Sequence, residues 1–340
     1  IVGPRWVRFQ PAELAAYEAD GLPTHASRPA LVVLPGSRHE LIEIIRVLHL
    51  ASVPFVARGA GTGLSGGALA GSDAVLVVLT RLNRILHLDP VRRRAVVEPG
   101  VVNARLSDAA LPHGLYYAPD PSSQSACTLG GNVAENAGGP HCLKYGVTTN
   151  HVVALEVLLP NAELVRLGSR SSEPWGPDLV GVFVGSEGMF GIATEITLRL
   201  EPLPAAVRTL LAAFPSIRAA SEAVSGIIAA GIVPAAMEMM DQACVRAVEA
   251  SIYAAGYPAD AAAVLLVEVD GTPEAVRGAA DLVEALLKRH RATEVRTATT
   301  SAERARLWQG RKKAFGAMGR ISPDLAVQDA VVPRSALPDI

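Results

Sequence analysis

The chain has 340 residues, half of them hydrophobic and 19% charged, with a formal net charge of −2. That length suggests about two domains with ample core, and the near-neutral charge gives no electrostatic case for nucleic acid or an anionic membrane surface. Cys127, Cys142 and Cys244 show no CxxC spacing and read as reduced thiols, and no run of about eighteen apolar residues predicts a membrane span.

In chain order, Leu31 to Leu34 reads as a strand, and Ser37-x-x-Glu40 as a capping box that opens a helix through Leu50. Val53 to Ala57 reads as the next strand. The short crossover predicts two parallel strands with a right-handed connection. A glycine-rich stretch follows, Arg58-Gly-Ala-Gly-Thr-Gly-Leu-Ser-Gly-Gly-Ala68. Gly61-x-Gly63-x-x-Gly66 matches the dinucleotide fingerprint, but that fingerprint needs a helix to begin inside it. LSGGALAGSD is a poor start to a helix, the next element is a strand at Val75 to Leu79, and no acidic residue ends a second strand about twenty positions on. A loop that meets phosphate through bare backbone N–H groups fits better than a Rossmann turn.

Ile85 to Leu88 and Ala95 to Glu98 predict a hairpin, as do 151 to 158 and 163 to 167. Ile192 to Leu200 alternates like a half-buried strand, and Glu201-Pro-Leu-Pro204 then breaks the chain. Beyond it, strands at Thr209 to Phe214, Ala236 to Met240 and Val264 to Asp270 alternate with helices, the last of these opened by Thr272-Pro273 and running to about His290. A final helix is predicted from about Ser301 to Met318. The pattern is that of a ferredoxin-like α/β sandwich without a closing element.

Three further segments join the glycine loop: Pro119-Asp-Pro-Ser-Ser continuing to Thr128-Leu-Gly-Gly-Asn132 and Gly139, then Pro140-His-Cys-Leu-Lys-Tyr-Gly146, and Gly185-Ser-Glu-Gly-Met-Phe-Gly-Ile192. Thr128 stands before a short helix whose first N–H groups are a candidate anion contact. Together with the RGxGTGLSGGA loop, these segments resemble the FAD-binding domain of the vanillyl-alcohol oxidase and p-cresol methylhydroxylase superfamily. Within it they resemble the glycolate oxidase catalytic subunits and the FAD-linked D-lactate and D-2-hydroxyacid dehydrogenases. Trp308-Gln-Gly-Arg-Lys-Lys-Ala-Phe-Gly-Ala-Met-Gly-Arg-Ile-Ser-Pro-Asp324 resembles the WxxRKxAFxAMGRxSPD stretch of the glycolate oxidase subunits, whereas their MDGTxPR stands here as Gln328-Asp-Ala-Val-Val-Pro-Arg334.

The resemblance implies an α+β protein: an N-terminal extension (1–27), a two-subdomain FAD-binding domain of the p-cresol methylhydroxylase type (28–203) and an incomplete ferredoxin-like cap (204–340). It implies FAD contacts from Arg58, Gly59, Ala60, Gly61, Thr62, Gly63, Leu64 and Ser65 around the pyrophosphate. Pro119, Asp120, Thr128, Gly130, Gly131, Asn132, Gly138, Tyr145, Gly146, Glu187, Gly188, Gly191 and Ile192 complete the cofactor site. Members with covalent FAD often carry histidine in the loop; Thr62 stands there, so non-covalent FAD is expected. Arg311 stands where an arginine is expected to hold the substrate carboxylate, a task suited to a permanently charged fork; a solvated helix charge beside Lys312 and Lys313 is the alternative.

The implied reaction is oxidation of a 2-hydroxy acid to the 2-oxo acid, with hydride transfer from Cα to flavin N5 and a base taking the hydroxyl proton. The electrons pass to a non-oxygen acceptor or a partner subunit, an iron–sulfur subunit among the candidates. The family's histidine-rich HxxGDGNxH-type motif is absent from these residues, so no base and no metal is assigned; His141 is the one histidine near the expected flavin. A cytoplasmic location is expected, with attachment to the inner membrane face through partner subunits as the alternative. Two other readings stand beside this one: a non-catalytic FAD-binding subunit of such a complex, and a different flavoenzyme, such as an ether-lipid synthase or enolpyruvyl reductase, on the same domain. Residues 1–340 alone are expected to turn over glycolate or D-lactate weakly or not at all even when loaded with FAD; rapid flavin reduction by this piece would refute that.

Overall fold

The computed structural model describes residues 1–22, 24–169, 176–322, 325 and 327–339. It divides into two compact units, residues 1–139 with 146–203, and residues 140–145 with 204–340. The architecture is mixed α+β with several sheets.

The first sheet of the first unit begins with β1 (Val7–Arg8), followed by α1 (Pro11–Leu14), β2 (Leu31–Val33), α2 (Arg38–Leu50), β3 (Phe55–Arg58) and β4 (Val75–Val78). Its order is β1-β2-β4-β3. The expected parallel strands β2 and β3 run the same way but do not touch; each pairs in parallel with β4 between them. A strand covered on both faces reads as one apolar run, and Val75-Leu-Val-Val78 is buried throughout. Val75 and Val77 meet Leu41, Ile44, Ile45 and Leu48 of α2, apolar positions spaced three and four apart. Leu76 and Val78 meet Leu14 and Ala70 on the other face. Ser37 caps α2 by accepting from Glu40 N–H, but the Glu40 carboxylate reaches back to Gly36 N–H at 2.6 Å, one residue before the box position.

The second sheet and the elements along the chain around it are β5 (Ile85–Asp89), β6 (Arg94–Val97), α3 (Asn103–Ala110), β7 (Leu115–Tyr116, outside this sheet), α4 (Leu129–Glu135), α5 (Cys142–Tyr145, in the second unit), β8 (Val152–Leu158), β9 (Leu164–Gly168), α6 (Leu179–Phe183) and β10 (Ile192–Arg199). Its antiparallel order is β5-β6-β10-β8-β9, so both expected hairpins form, joined by β10. Val97, Leu155, Val157, Ile196 and Leu198 bury against Leu106 of α3, Leu129 and Val133 of α4, and Phe183 of α6. Glu156 is buried and ties the two sheets together: Arg38 of α2 reaches it at 2.6 Å, Arg166 at 3.2 Å and the Thr194 hydroxyl at 3.0 Å. The proline-rich break is itself paired, since β11 (Glu201–Pro202) lies antiparallel to β7.

The second unit runs β12 (Ala206–Phe214), α7 (Ile217–Ala229), β13 (Ala236–Asp241), α8 (Gln242–Glu249), β14 (Ala263–Gly271), α9 (Pro273–Arg289), β15 (Glu294–Thr297), α10 (Ser301–Lys312) and α11 (Ala314–Met318). The antiparallel order is β13-β14-β12-β15. β15 has no local signal in the sequence: Glu294-Val-Arg-Thr297 is short and carries one apolar residue, so its place comes from pairing with β12. The expected last helix is two, divided at Lys313, whose φ of −98° and ψ of 3° leave the helical region. Alternation sends Leu210, Ala212, Phe214, Leu265 and Val267 toward α7 and α9. Leu211, Ala213, Val264 and Leu266 face Val245 and Val248 of α8, Leu307 and Trp308 of α10, and Ala314 and Ala317 of α11.

The same alternation puts Thr209, Glu238, Glu268 and Asp270 on the face toward α10. Glu268, 1% exposed, accepts from Arg304 Nε at 2.8 Å and Nη2 at 2.7 Å, from Trp308 Nε1 at 2.6 Å and from the Thr209 hydroxyl, and lies 3.2 Å from His141 Nε2. Burial by itself would raise its carboxyl, yet the bonds from His141, Arg304 and Thr209 hold it far below the usual carboxylate range. Its stabilising contribution is therefore fully present above the ordinary value of 4.5 and is lost as pH falls below it. Glu268→Gln is expected to cost about 3 kcal/mol at neutral pH by leaving Arg304 without its carboxylate, and to flatten the acid limb of the stability–pH curve. Chemical denaturation from pH 7 down to pH 3 checks both.

Candidate functional site

The glycine loop leaves β3 with Arg58 turned backward. The Arg58 guanidinium donates to the carbonyls of Ala68 at 3.2 Å and Ala19 at 2.8 Å, and lies 3.5 Å from that of Tyr17. It is buried, and it braces the loop from behind rather than facing a ligand. Gly61, at φ +69°, closes over it; a Cβ there would stand 2.3 Å from Arg58 Nη2. Among the described residues, none accepts a hydrogen bond from the backbone N–H groups of Gly59, Ala60, Gly61, Thr62, Gly63, Leu64 or Ser65. Backbone donors left unpaired together in a half-buried loop call for an acceptor from outside the chain, and successive free N–H groups form an anion-binding concavity.

Gly59 brings this loop against α4: a Cβ on it would meet Thr128 Oγ1 at 2.3 Å. The start of α4 does not serve as the expected anion contact, because its donors are already used. Leu129 N–H bonds Val101 O, Gly130 N–H bonds Pro99 O at 2.7 Å, Gly131 N–H meets Thr128 Oγ1 at 3.4 Å, and Asn132 N–H bonds Thr128 O. Capping by the chain itself closes the helix end. Gly130 is required by that closure, since a Cβ would stand 2.6 Å from Pro99 Cβ. Thr128, Gly130 and Gly131 thus shape the wall behind the loop.

The remaining expected residues of the first unit lie in irregular segments and turns, with Ile192 at the start of β10. Pro119 O accepts from the buried Asn103 side chain at 3.0 Å. Gly139 packs so closely on buried Asp120 that a Cβ would lie 2.3 Å from its carbonyl oxygen; Gly138 precedes it in the same irregular segment. Gly146, at φ +80°, sits over Asn150. Glu187 adopts φ +53° and bonds through its N–H to Ala134 O, which ties the 185–192 turn to α4. Gly188 (φ +78°) and Gly191 (φ +146°) lead into buried Ile192 at the head of β10. A Cβ on Gly67 would lie 3.7 Å from the Glu135 carboxylate and 3.8 Å from that of Glu187. Burial, then the charges of Glu187 and Asp20, raise the Glu135 carboxyl above its usual value. This acidic side of the loop was not read from the sequence, because Asp20, Glu135 and Glu187 come together only in the fold.

Tyr145 and His141, expected beside the cofactor, belong to the second unit. The Tyr145 hydroxyl and Lys144 Nζ both donate to Asp270 at the end of β14. His141 lies against Glu268, with its ring 6.0 Å from that of Trp308. Trp308, Arg304 and Arg311 share one stripe of α10, being four and three residues apart. The Arg311 guanidinium pairs with Glu238 of β13 at 2.7 Å, while its Nε is buried with no acceptor among the described residues. Gly310 lets α10 approach Tyr257, since a Cβ there would lie 2.7 Å from the phenol oxygen. Pro323 and Asp324, which end the motif begun at Trp308, lie outside the described residues. Glu268 was legible in principle: an acid inside the apolar run Val264-Leu-Leu-Val-Glu-Val269 is either misplaced or paired. Among the described residues, no group of three His, Cys, Asp or Glu side chains is placed to hold a metal ion.

Residues 29–168 match the model of an FAD binding domain and residues 203–340 that of the C-terminal domain of FAD linked oxidases. The chain is 51% identical to glycolate oxidase subunit GlcD of Escherichia coli strain K12, over 96% of this chain and 66% of that protein. It is 39% identical to the subunit of the same name from Bacillus subtilis strain 168, over 99% and 72%, and 32% identical to a D-lactate dehydrogenase of Archaeoglobus fulgidus, over 96% and 72%. The chain therefore spans about two thirds of the length of the Escherichia coli relative. Among solved structures, an alkyldihydroxyacetonephosphate synthase superposes with a TM-score of 0.80 at 19% identity, over 94% of this chain and 62% of that one, a likeness of fold.

The cofactor is FAD, and the glycine loop suits it: its open amide donors fit a pyrophosphate, and its glycines admit close approach of the ligand to the backbone. Gly59→Ala is expected to push the loop off Thr128 and weaken FAD binding by about tenfold or more, with about 1–3 kcal/mol lost in stability from overpacking. Adding Thr128→Ala removes the opposing hydroxyl and is expected to restore part of the binding. Fluorimetric FAD titration of the single and double variants checks this.

Proposed function

The chain belongs to the FAD-linked oxidase family of the glycolate oxidase subunits, and from that premise we propose that the protein oxidises a 2-hydroxy acid of the glycolate or D-lactate class to the 2-oxo acid. When bound, FAD supplies the two-electron acceptor; the chain's own residues bind, orient and shield. The loop from Gly59 to Ser65 would hold the pyrophosphate through backbone N–H groups, backed by Arg58 and walled by Thr128, Gly130, Gly131 and Asn132. Glu187, Gly188, Gly191 and Ile192 form the adjoining turn. Thr62 in place of a loop histidine supports non-covalent attachment.

The observation that carries the substrate reading is Arg311. It lies on a helix anchored through Arg304 and Trp308 to Glu268, with a buried Nε donor that no described residue accepts from. A guanidinium held rigid with an open donor suits one carboxylate. The same arrangement favours a catalytic chain over a non-catalytic FAD-binding partner, and it favours a 2-hydroxy acid over the ether-lipid or enolpyruvyl alternatives. The domain reading follows: an N-terminal extension (1–27), an FAD-binding domain (28–203) and a cap (204–340) whose antiparallel sheet with α7 and α9 on one face supports a ferredoxin-like description. The relatives are named as subunits, which supports assembly with other subunits, an iron–sulfur protein among them as electron acceptor. No helix among the described residues is long and apolar enough to cross a membrane; a cytoplasmic location, or attachment to the membrane through partners, is part of the proposal.

In the full-length FAD-loaded protein, Arg311→Ala is expected to raise KM for glycolate or D-lactate about a hundredfold, the effect of removing about 3 kcal/mol of charge-assisted pairing, with FAD binding unchanged. A panel of 2-hydroxy acids read at the flavin absorbance supplies the measurement. Equal loss of substrate and FAD binding would make Arg311 a structural residue and remove the support for this reading.

A further inference from the structure

We infer that Glu238 sets the charge class of the substrate, admitting 2-hydroxy monocarboxylates and rejecting 2-hydroxy dicarboxylates. The inference rests on Arg311 being the group that holds the substrate carboxylate. Glu238 stands on β13 opposite Leu266, two residues along β14 from Glu268, on the face toward α10. Its Oε2 lies 2.7 Å from Arg311 Nη2, and the two side chains are 22% and 31% exposed.

Each carboxylate on this face has a basic partner, and Glu268 has His141 beside Arg304. Glu268 is held by Arg304, Asp270 by Lys144 and Glu238 by Arg311. Arg311 differs in that its Nε remains buried without an acceptor, so one corner of its fork is open. A single substrate carboxylate reaches that corner and shares the guanidinium with Glu238, which holds the plane of the fork from the Nη2 side. Arg311 then serves two anions. A second carboxylate on the same small substrate finds no counter-ion among the three pairs and faces the Glu238 charge across a half-exposed space. Among the described residues, Arg296 also has a buried Nε without an acceptor, but its Nη2 is held by the Gly256 carbonyl at 2.9 Å.

The test uses the full-length FAD-loaded protein and two probe pairs: D-lactate against D-malate as substrates, and pyruvate against oxaloacetate as product ligands in calorimetry. Wild type is expected to favour the monocarboxylate in both, with discrimination that weakens as ionic strength rises, because the repulsion is screened. In Glu238→Gln the ratio of dicarboxylate to monocarboxylate kcat/KM is expected to rise on the order of tenfold, the scale of a single like-charge contact near a protein surface. The change should appear in KM and in product affinity for the dicarboxylate. Glu238→Asp, which keeps the charge, should retain the wild-type preference. A wild type that prefers dicarboxylates, a preference insensitive to salt, or an unchanged ratio in Glu238→Gln with FAD content intact would overturn the inference. An Arg311→Ala variant with unchanged KM would instead overturn the substrate reading beneath it.

Discussion

A carboxylate cannot be buried alone; donors must be brought to it, and the elements that carry those donors are thereby fixed in place. Glu268 imposes that condition on the second unit. It lies in the middle of a four-stranded sheet and draws Thr209 from β12, Arg304 and Trp308 from α10, and His141 from the six-residue segment 140–145. Hydrophobic burial alone would hold α10 against the sheet with some freedom to slide, since Leu307 and Trp308 are its principal apolar contacts. The directional bonds to Glu268 remove that freedom, and Gly310 sets how closely the helix sits on Tyr257. Arg311 inherits the resulting position.

The first unit obeys the complementary condition: donors without acceptors. A helix end and a glycine loop are both sources of free N–H groups, but here the chain closes its own helix end. Pro99 and Val101 carbonyls and the Thr128 hydroxyl take the first donors of α4. The loop from Gly59 to Ser65 is left open, and the short turn at 185–192 is pinned to α4 through Val133 and Ala134 carbonyls. One unit thus presents unsatisfied donors suited to an anionic cofactor, and the other presents balanced charges with one open donor suited to a small acid.

Much of this was legible in the sequence because it rests on local patterns. The helix from Arg38 follows from its cap and from Leu41, Ile44, Ile45 and Leu48; both hairpins follow from turn residues between alternating strands. The glycine-rich motifs located the loop and argued against a Rossmann turn. What local pattern could not supply was partnership at a distance. β4 lies between β2 and β3 as the strand buried at every position, a place set by burial on both faces rather than by chain order. β15 is a strand through its pairing with β12 alone. Thr128 looked like an anion contact because its competitors, the carbonyls of Pro99 and Val101, are some thirty residues away in sequence. Arg58 looked like a ligand for the same reason: the carbonyls of Ala19 and Ala68 that receive it are adjacent only in the fold. Glu238 and Arg311 carry no shared motif, and their meeting depends on how α10 crosses β13.

The open donors of the glycine loop belong to the main chain, and this determines which changes the loop can absorb over time. Side chains at Ala60, Thr62, Leu64 and Ser65 can drift, because an amide hydrogen is the same whatever residue bears it. Proline is barred at each of these positions, since it deletes the donor. Gly59 and Gly61 are barred from gaining a β-carbon by Thr128 on one side and Arg58 on the other. Recognition of this kind is inherited as backbone shape, so its lasting signature is a spacing of glycines with variable letters between them.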